Sequence, residues 1–174
     1  MVAGLGSSAW DCCAAGDHPL TFPLWGAMGS ASMIGLGLAL AQPKRRVLVV
    51  TGDGEMLMGL GSLATIGAQG PGNLAIVVLD NERYGETGMQ KTHTGYGTDL
   101  ASAARSCGFA QTRIVRRKTE LEPMRASVYR TRGPLFFQVK IRAETVPLAL
   151  PPRDGHALRH RFRESLLGEN VANR

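Results

Sequence analysis

Two unbroken apolar runs, Val47-Leu-Val-Val50 and Leu74-Ala-Ile-Val-Val-Leu79, dominate the pattern of the chain. Each is short, does not alternate with polar residues and is bounded by turn residues, which is the signature of a parallel strand covered on both faces. Between them, Glu55 to Gly70 carries apolar residues at helical spacing and predicts one helix with Met56, Leu57, Leu60, Leu63, Ala64 and Ile66 or Gly67 facing inward. Upstream, Met1 to Gly6 reads as an opening strand, and Ser7 or Ser8 as the N-cap of a helix through Ala15. Ser30 to Ala41 is small and apolar all round, as expected of a helix held between layers, and Pro43 ends it.

Downstream, Asn81 to Asp99 shows no period and predicts a long mobile loop. Thr98 or Asp99 then caps a helix from Leu100 to Cys107, closed by Gly108, and Phe109 to Val115 reads as an edge strand. The Thr119-Glu-Leu-Glu122 pattern predicts a capping box opening a helix through about Thr131, and Pro134 to Ile141 returns to the sheet. Pro151-Pro152 breaks the chain before a last helix from Leu158 to Leu167. The alternation defines an α/β fold: a doubly wound, mainly parallel sheet with helices on both faces and right-handed crossovers. Residues 1–150 are expected to form one domain, and 151–174 a basic tail ending in a short helix packed on that domain or on a partner.

Composition narrows the class. At 174 residues with 44% hydrophobic and 20% charged, the chain supports one core without disulfide staples. The net charge of +6 raises an anionic partner. However, the basic residues at Arg113 to Lys118 and beyond Arg153 lack interleaved aromatics or a nucleic-acid motif, so no nucleic-acid role is expected. Cys12, Cys13 and Cys107 offer neither a paired framework nor metal-ligand spacing, which fits reduced thiols in the cytoplasm. The apolar stretch from Ala27 to Ala41 is too short to span a membrane, and the first residues lack a basic lead into an apolar stretch.

The chemistry sits where the strands end. In an open parallel sheet, ligands bind beyond the carboxyl ends of the strands. There the sequence places Gly52-Asp53-Gly54-Glu55 and, one strand later, Asp80-Asn81-Glu82-Arg83. Asp53, the amide oxygen of Asn81 and the backbone carbonyl of Arg83 are oxygen donors suited to magnesium, whose shell is commonly completed by phosphate. Gly52 and Gly54 leave room for close approach, and the helix near Glu55 aims free N–H groups at an anion. The polar loop supplies Glu86 and Thr87 for the same diphosphate, with Gln90 and His93 reaching toward substrate.

These motifs resemble the signature of thiamine-diphosphate enzymes, the decarboxylases and acetolactate-synthase-like lyases. Most members carry two asparagines at the second point, where this chain has Asp80-Asn81; the departure leaves the ligand position intact. More narrowly, Leu60-Gly-Ser-Leu-Ala-Thr-Ile66 and Leu79-Asp-Asn-Glu-Arg-Tyr-Gly-Glu-Thr-Gly88 look like the diphosphate-binding part of sulfopyruvate and phosphonopyruvate decarboxylases, across roughly residues 20 to 150. The resemblance implies thiamine diphosphate and Mg²⁺ as cofactors, with Tyr84 and Gly85 joining the cofactor contacts. It also implies a Gly26-Ala27-Met28 turn that grips the aminopyrimidine, through the Gly26 carbonyl and the Met28 N–H, with the Met28 side chain as wedge. From the residues alone, Met28 reads equally as a core methionine at a helix start.

The family's activating glutamate lies on another domain, which a chain of this length has no room to hold. The resemblance therefore implies a β-type subunit acting on a 2-oxo acid with a separate pyrimidine-binding α subunit, in a homodimer or hetero-oligomer. A carboligating lyase of the same cofactor class and a non-catalytic cofactor-binding module stay open. A dinucleotide-binding protein does not fit, because the first strand lacks a G-x-G-x-x-G turn.

Overall fold

The computed structural model describes residues 1–144 and 146–168. In chain order the elements are β1 (Val2–Ala3), α1 (Ser7–Ala14), β2 (Phe22–Pro23), α2 (Ala31–Ala41), β3 (Val47–Gly52), α3 (Asp53–Met58), α4 (Ser62–Gln69) and β4 (Leu74–Asp80). They continue with a hairpin of β5 (Arg83–Tyr84) and β6 (Gln90–Lys91), then α5 (Leu100–Ser106), β7 (Gln111–Val115), α6 (Leu121–Arg130), β8 (Leu135–Lys140) and α7 (Gly155–Leu167). Six strands form one parallel sheet in the order β2-β1-β3-β4-β8-β7, with the expected edge strand at the end.

The unbroken apolar runs are explained by burial on both sides. Val49, Ile76, Val78 and Phe136 point into one cluster with Leu36, Leu63, Ile66, Leu100 and Ala104 from α2, α4 and α5. The alternate residues Ala75, Val77, Leu135, Phe137 and Val139 enter a second cluster with Val128 and Met124 of α6. Successive side chains of a strand point to opposite faces, so a strand covered twice is apolar along most of its length, and its few polar residues, such as Gln138, are buried with partners. Burying a side chain such as Phe136 or Phe137 contributes roughly 2–3 kcal/mol.

Five local expectations are corrected. The helix expected over Glu55 to Gly70 begins earlier, at Asp53, and is broken in two around Gly59 to Gly61. A Cβ on Gly59 would fall on the carbonyl oxygen of Gly29, so the two backbones touch where the helix breaks and only glycine fits there. The break resets the helical phase: Met56, Leu63 and Ile66 are buried as expected, whereas Leu60 and Ala64 face solvent.

At α1 neither serine caps. Gly6, with φ of 80°, takes the cap position, and the Ser8 hydroxyl donates back to the Gly4 carbonyl at 2.9 Å. The box expected at Thr119 is displaced two residues upstream, to Arg117 and Glu120: Glu120 accepts from the N–H groups of Arg116 and Arg117, while Glu122 pairs with Arg125. The segment after β4 is built rather than irregular, holding the β5–β6 hairpin and 3₁₀ turns at Gly85–Thr87 and His93–Tyr96.

Asp99, not Thr98, caps α5 by accepting from the Ser102 N–H at 2.8 Å. The last helix starts three residues earlier than expected, at Gly155, because Asp154 accepts from the N–H groups of His156 and Ala157. It lies against β2 through Phe162 on Phe22, ring centroids 5.4 Å apart, and through a forked Arg161–Asp17 ion pair. Residues 169–174 of the basic tail lie outside the described residues. Among the described residues, no helix is long and apolar enough to cross a membrane.

Candidate active site

The chain leaves β1 for β2 on one side of the sheet and returns through α2 to β3 on the other. Strand order reverses there, and such a switch point opens a crevice at the carboxyl ends of the strands. A cavity of about 120 Å³ occupies it, lined by residues that follow β1, β3, β4 and β8. Gly52, Asp53, Gly54 and Glu55 come from the β3–α3 corner, Asn81, Arg83, Tyr84, Gly85, Glu86 and Thr87 from the segment after β4, and Met28 from the turn before α2. Most of the residues read from sequence as cofactor contacts thus meet at one wall. Gly26 and Ala27 do not line it, although their turn carries Met28, and neither do Gln90 and His93.

The register pairs Gly52 with Leu79, so Asp53 arrives beside Asp80 and Asn81. Both aspartates are buried, at 1% and 0% exposure, but their surroundings differ. Asp80 receives Lys140 Nζ at 2.8 Å, the Gln138 amide at 2.5 Å and the Glu82 N–H at 3.1 Å. Asp53 receives hydroxyls: Thr92 at 2.5 Å and Thr94 at 3.0 Å, both on Oδ2. Burial pushes the Asp53 carboxyl above its usual range; the threonines offset part of this, and the nearby Asp80 charge adds to it.

Among the described residues no cation pairs with Asp53, so no positive side chain there offsets its carboxylate. Among the described residues no three His, Cys, Asp or Glu side chains converge there as a metal group. One carboxylate beside an amide oxygen is a sparse oxygen set of the kind magnesium uses when phosphate completes the shell, and the residues present fit that cation. Asn81 also accepts the Arg83 N–H at 2.9 Å, which curls the chain so that Asn81 and Arg83 both face the cavity.

Glu55 is the second buried acid. Its Oε2 accepts from Thr51 Oγ1 at 2.7 Å, while Oε1 has no partner at bonding distance; the backbone of Ala31, Leu5 and Gly29 lies near the carboxyl. Burial raises its carboxyl above the usual range. A Cβ on Gly4 would collide with Oε2, so glycine at that corner lets the acid tuck under β1. A Cβ on Gly54 would lie 2.7 Å from the Tyr84 ring, which closes over that glycine.

Met28 is 61% exposed and lines the cavity, which excludes the core-methionine reading. Its turn is held open by Ala27 and Gly29 in the left-handed region, at φ of 57° and 82°. Met56 is core, as expected, but Met58 is exposed and joins Met28 at the cavity. Glu86 reaches across to the start of α1, where a Cβ on Gly6 would lie 2.9 Å from its Oε1. Gln90 folds back on its own loop, accepting from the Thr87 hydroxyl and donating to the Thr87 carbonyl, both at 2.8 Å. His93 is exposed on the 3₁₀ turn.

Sequence reasoning missed three contributors. The start of α1, with Leu5, Gly6, Ser7 and Asp11, forms the opposite wall, and its Ser-Ser pair was the available signal. Thr92 and Thr94 hold Asp53, but a threonine in a polar loop announces nothing by itself. Ile141, just past β8, closes the floor.

Fold and cavity together define a cofactor-binding α/β domain open at the carboxyl edge of its sheet. Residues 7–139 match the family model for the thiamine pyrophosphate enzyme, C-terminal TPP binding domain, and the chain belongs to that family. Within it, the chain is 38% identical to sulfopyruvate decarboxylase subunit beta of Methanothermobacter thermautotrophicus over 97% of its own length and 87% of that protein's. The Methanocaldococcus jannaschii subunit of the same name is 46% identical over 62% of this chain and 57% of its own. Phosphonopyruvate decarboxylase of Streptomyces hygroscopicus is 38% identical over 94% of this chain but 41% of its own length. Among solved structures, a benzoylformate decarboxylase from Polynucleobacter necessarius superposes with a TM-score of 0.60 at 22% identity, covering 74% of this chain and 26% of that one, a likeness of fold.

Proposed function

We propose that this chain is the diphosphate- and magnesium-binding half of a cytoplasmic thiamine-diphosphate-dependent decarboxylase acting on a 2-oxo acid of the sulfopyruvate or phosphonopyruvate type. Residues 1–150 form that half, and 151–174 a tail on it or on a partner. The observation that carries the reading is Asp53: a buried carboxylate with no protein cation, beside Asn81, at the switch point of the sheet. Asp53, Asn81 and the Arg83 carbonyl hold the magnesium, and the backbone around Gly52, Gly54 and Glu55 receives the diphosphate with Tyr84, Gly85, Glu86 and Thr87. When bound, thiamine diphosphate supplies a carbon nucleophile and electron sink for decarboxylation.

The chain's own residues bind and orient. The Gly26-Ala27-Met28 turn sets the pyrimidine end, and the exposed Met28 side chain stands against the cofactor's bend. Arg83 at the cavity offers a guanidinium for a sulfonate or phosphonate, with one nitrogen already spent on the Glu82 carbonyl. Gln90 and His93 lie outside the cavity, on the loop that borders it, and would reach substrate only after that loop moves toward the site. The activating glutamate comes from a separate pyrimidine-binding α subunit, a reading supported by relatives named as β subunits and by others in which the matching segment is less than half of a longer chain.

The test is reconstitution. The purified chain with Mg²⁺ and thiamine diphosphate should not turn over 2-oxo acids until its partner is added, and robust turnover by the chain alone would contradict the reading. A carboligating lyase would share the cofactor residues and be exposed by acyloin products in the same assay.

A further inference from the structure

Thr92 and Thr94 are 0% and 5% exposed, while His93 between them faces solvent. Their hydroxyls make four oxygen contacts: Thr92 to Asp53 at 2.5 Å, Thr92 to Thr94 at 2.9 Å, and Thr94 to both Asp53 at 3.0 Å and Asp80 at 2.8 Å. A hydroxyl carries one proton, so two protons serve four contacts. Thr92 gives its proton to Asp53, and Thr94 has a single proton for two carboxylates. Asp80 already holds Lys140, the Gln138 amide and the Glu82 N–H, so in the cation-free chain the Thr94 proton belongs on Asp53. The Thr94 oxygen sits between the two strand ends, and both threonines engage Oδ2, leaving Oδ1 of Asp53 without a side-chain partner.

We propose that Thr94, backed by Thr92, is a positioning residue for the cation centre: it holds the Asp53 carboxylate by one oxygen, leaves the other for the metal, and fastens the loop carrying His93 to the loaded site. This rests on the cofactor reading above. Linkage between two such events is reciprocal, so a loop that orients Asp53 raises cation affinity, and the bound cation steadies the loop. The Thr92 N–H, which donates to the Glu82 carbonyl at 3.0 Å, ties the same loop back to the end of β4.

The full-length chain, loaded with Mn²⁺ and thiamine diphosphate, gives two readouts: metal affinity by electron paramagnetic resonance, and amide exchange across residues 89–97. Thr94→Val removes the hydroxyl at nearly constant shape, and Thr94→Ser keeps it. Thr94→Val is expected to weaken Mn²⁺ about tenfold and to abolish the slowing of loop exchange on loading, whereas Thr94→Ser stays within about twofold of wild type on both. Exchange in β4 should not move, which separates positioning from loss of fold. If Thr94→Val is not recovered folded, Thr92→Val removes the other hydroxyl and carries the same expectation. A Thr94→Val chain that binds Mn²⁺ as tightly as wild type and keeps the loop's protection overturns this inference alone. A wild-type chain that binds no Mn²⁺ with thiamine diphosphate overturns the cofactor reading and the inference with it.

Discussion

Asp53 and Asp80 sit at neighbouring strand ends, equally buried, and share one threonine, yet they are compensated in opposite ways. Asp80 has its cation within the chain, Lys140, which Glu82 also holds at 2.8 Å. Two carboxylates outweigh the effect of burial on that lysine and leave it above its usual range. Asp53 has hydroxyls and a raised pKa. An acid neutralised from within is structural, whereas an acid left charged in a cavity is kept for something that arrives from outside.

The contrast breaks most sharply at Asp53 itself. Asp53→Ala should reduce magnesium-dependent binding of thiamine diphosphate by about a hundredfold or more in titration calorimetry, beyond the loss expected when only a residue that supports a ligand is changed. Its thermal midpoint without metal should not fall in proportion. Lys140→Met should do the reverse. Stranding the Asp80 charge is expected to cost about 3 kcal/mol in denaturant unfolding while cofactor affinity follows stability rather than leading it. Equal effects of the two variants on both measurements would erase the distinction.

A smaller effect is expected at the helix break. Gly59→Ala forces the backbone away from Gly29 and should cost about 2 kcal/mol, with weaker binding at the pyrimidine end because the displaced turn carries Met28. Smallest is Glu55→Gln. A carboxyl raised by burial binds its proton more tightly in the folded than in the unfolded chain, so it penalises the fold as pH rises through the raised value. The penalty disappears as pH falls into the ordinary carboxylate range. The metal-free glutamine variant should therefore be more stable than wild type near neutral pH, with the gap closing toward acid pH. A gap that widens on acidification would reverse the assignment.

The sheet was legible because β3, β4 and β8 are covered on both faces, and double burial leaves an unbroken apolar run that no loop imitates. Asp53 and Asn81 were legible because they end such runs. The break at Gly59 was not, since the backbone it touches lies on a distant turn, and the helical period continues through it in sequence. Thr92 and Thr94 were hidden for a similar reason: their role comes from what they touch, and nothing in their spacing distinguishes them from Thr87 or Thr98. Asp80 was read as a departure without consequence for the metal; its pairing with Lys140 on β8 explains why a carboxylate is tolerated there.

The most direct measurement is a crystal structure of the chain with Mg²⁺ and thiamine diphosphate. Magnesium is expected at about 2.1 Å from the side-chain oxygens of Asp53 and Asn81 and the Arg83 carbonyl, bridging to the diphosphate. A diphosphate bound with those oxygens turned away, or a metal seated on Asp80 instead, would contradict it.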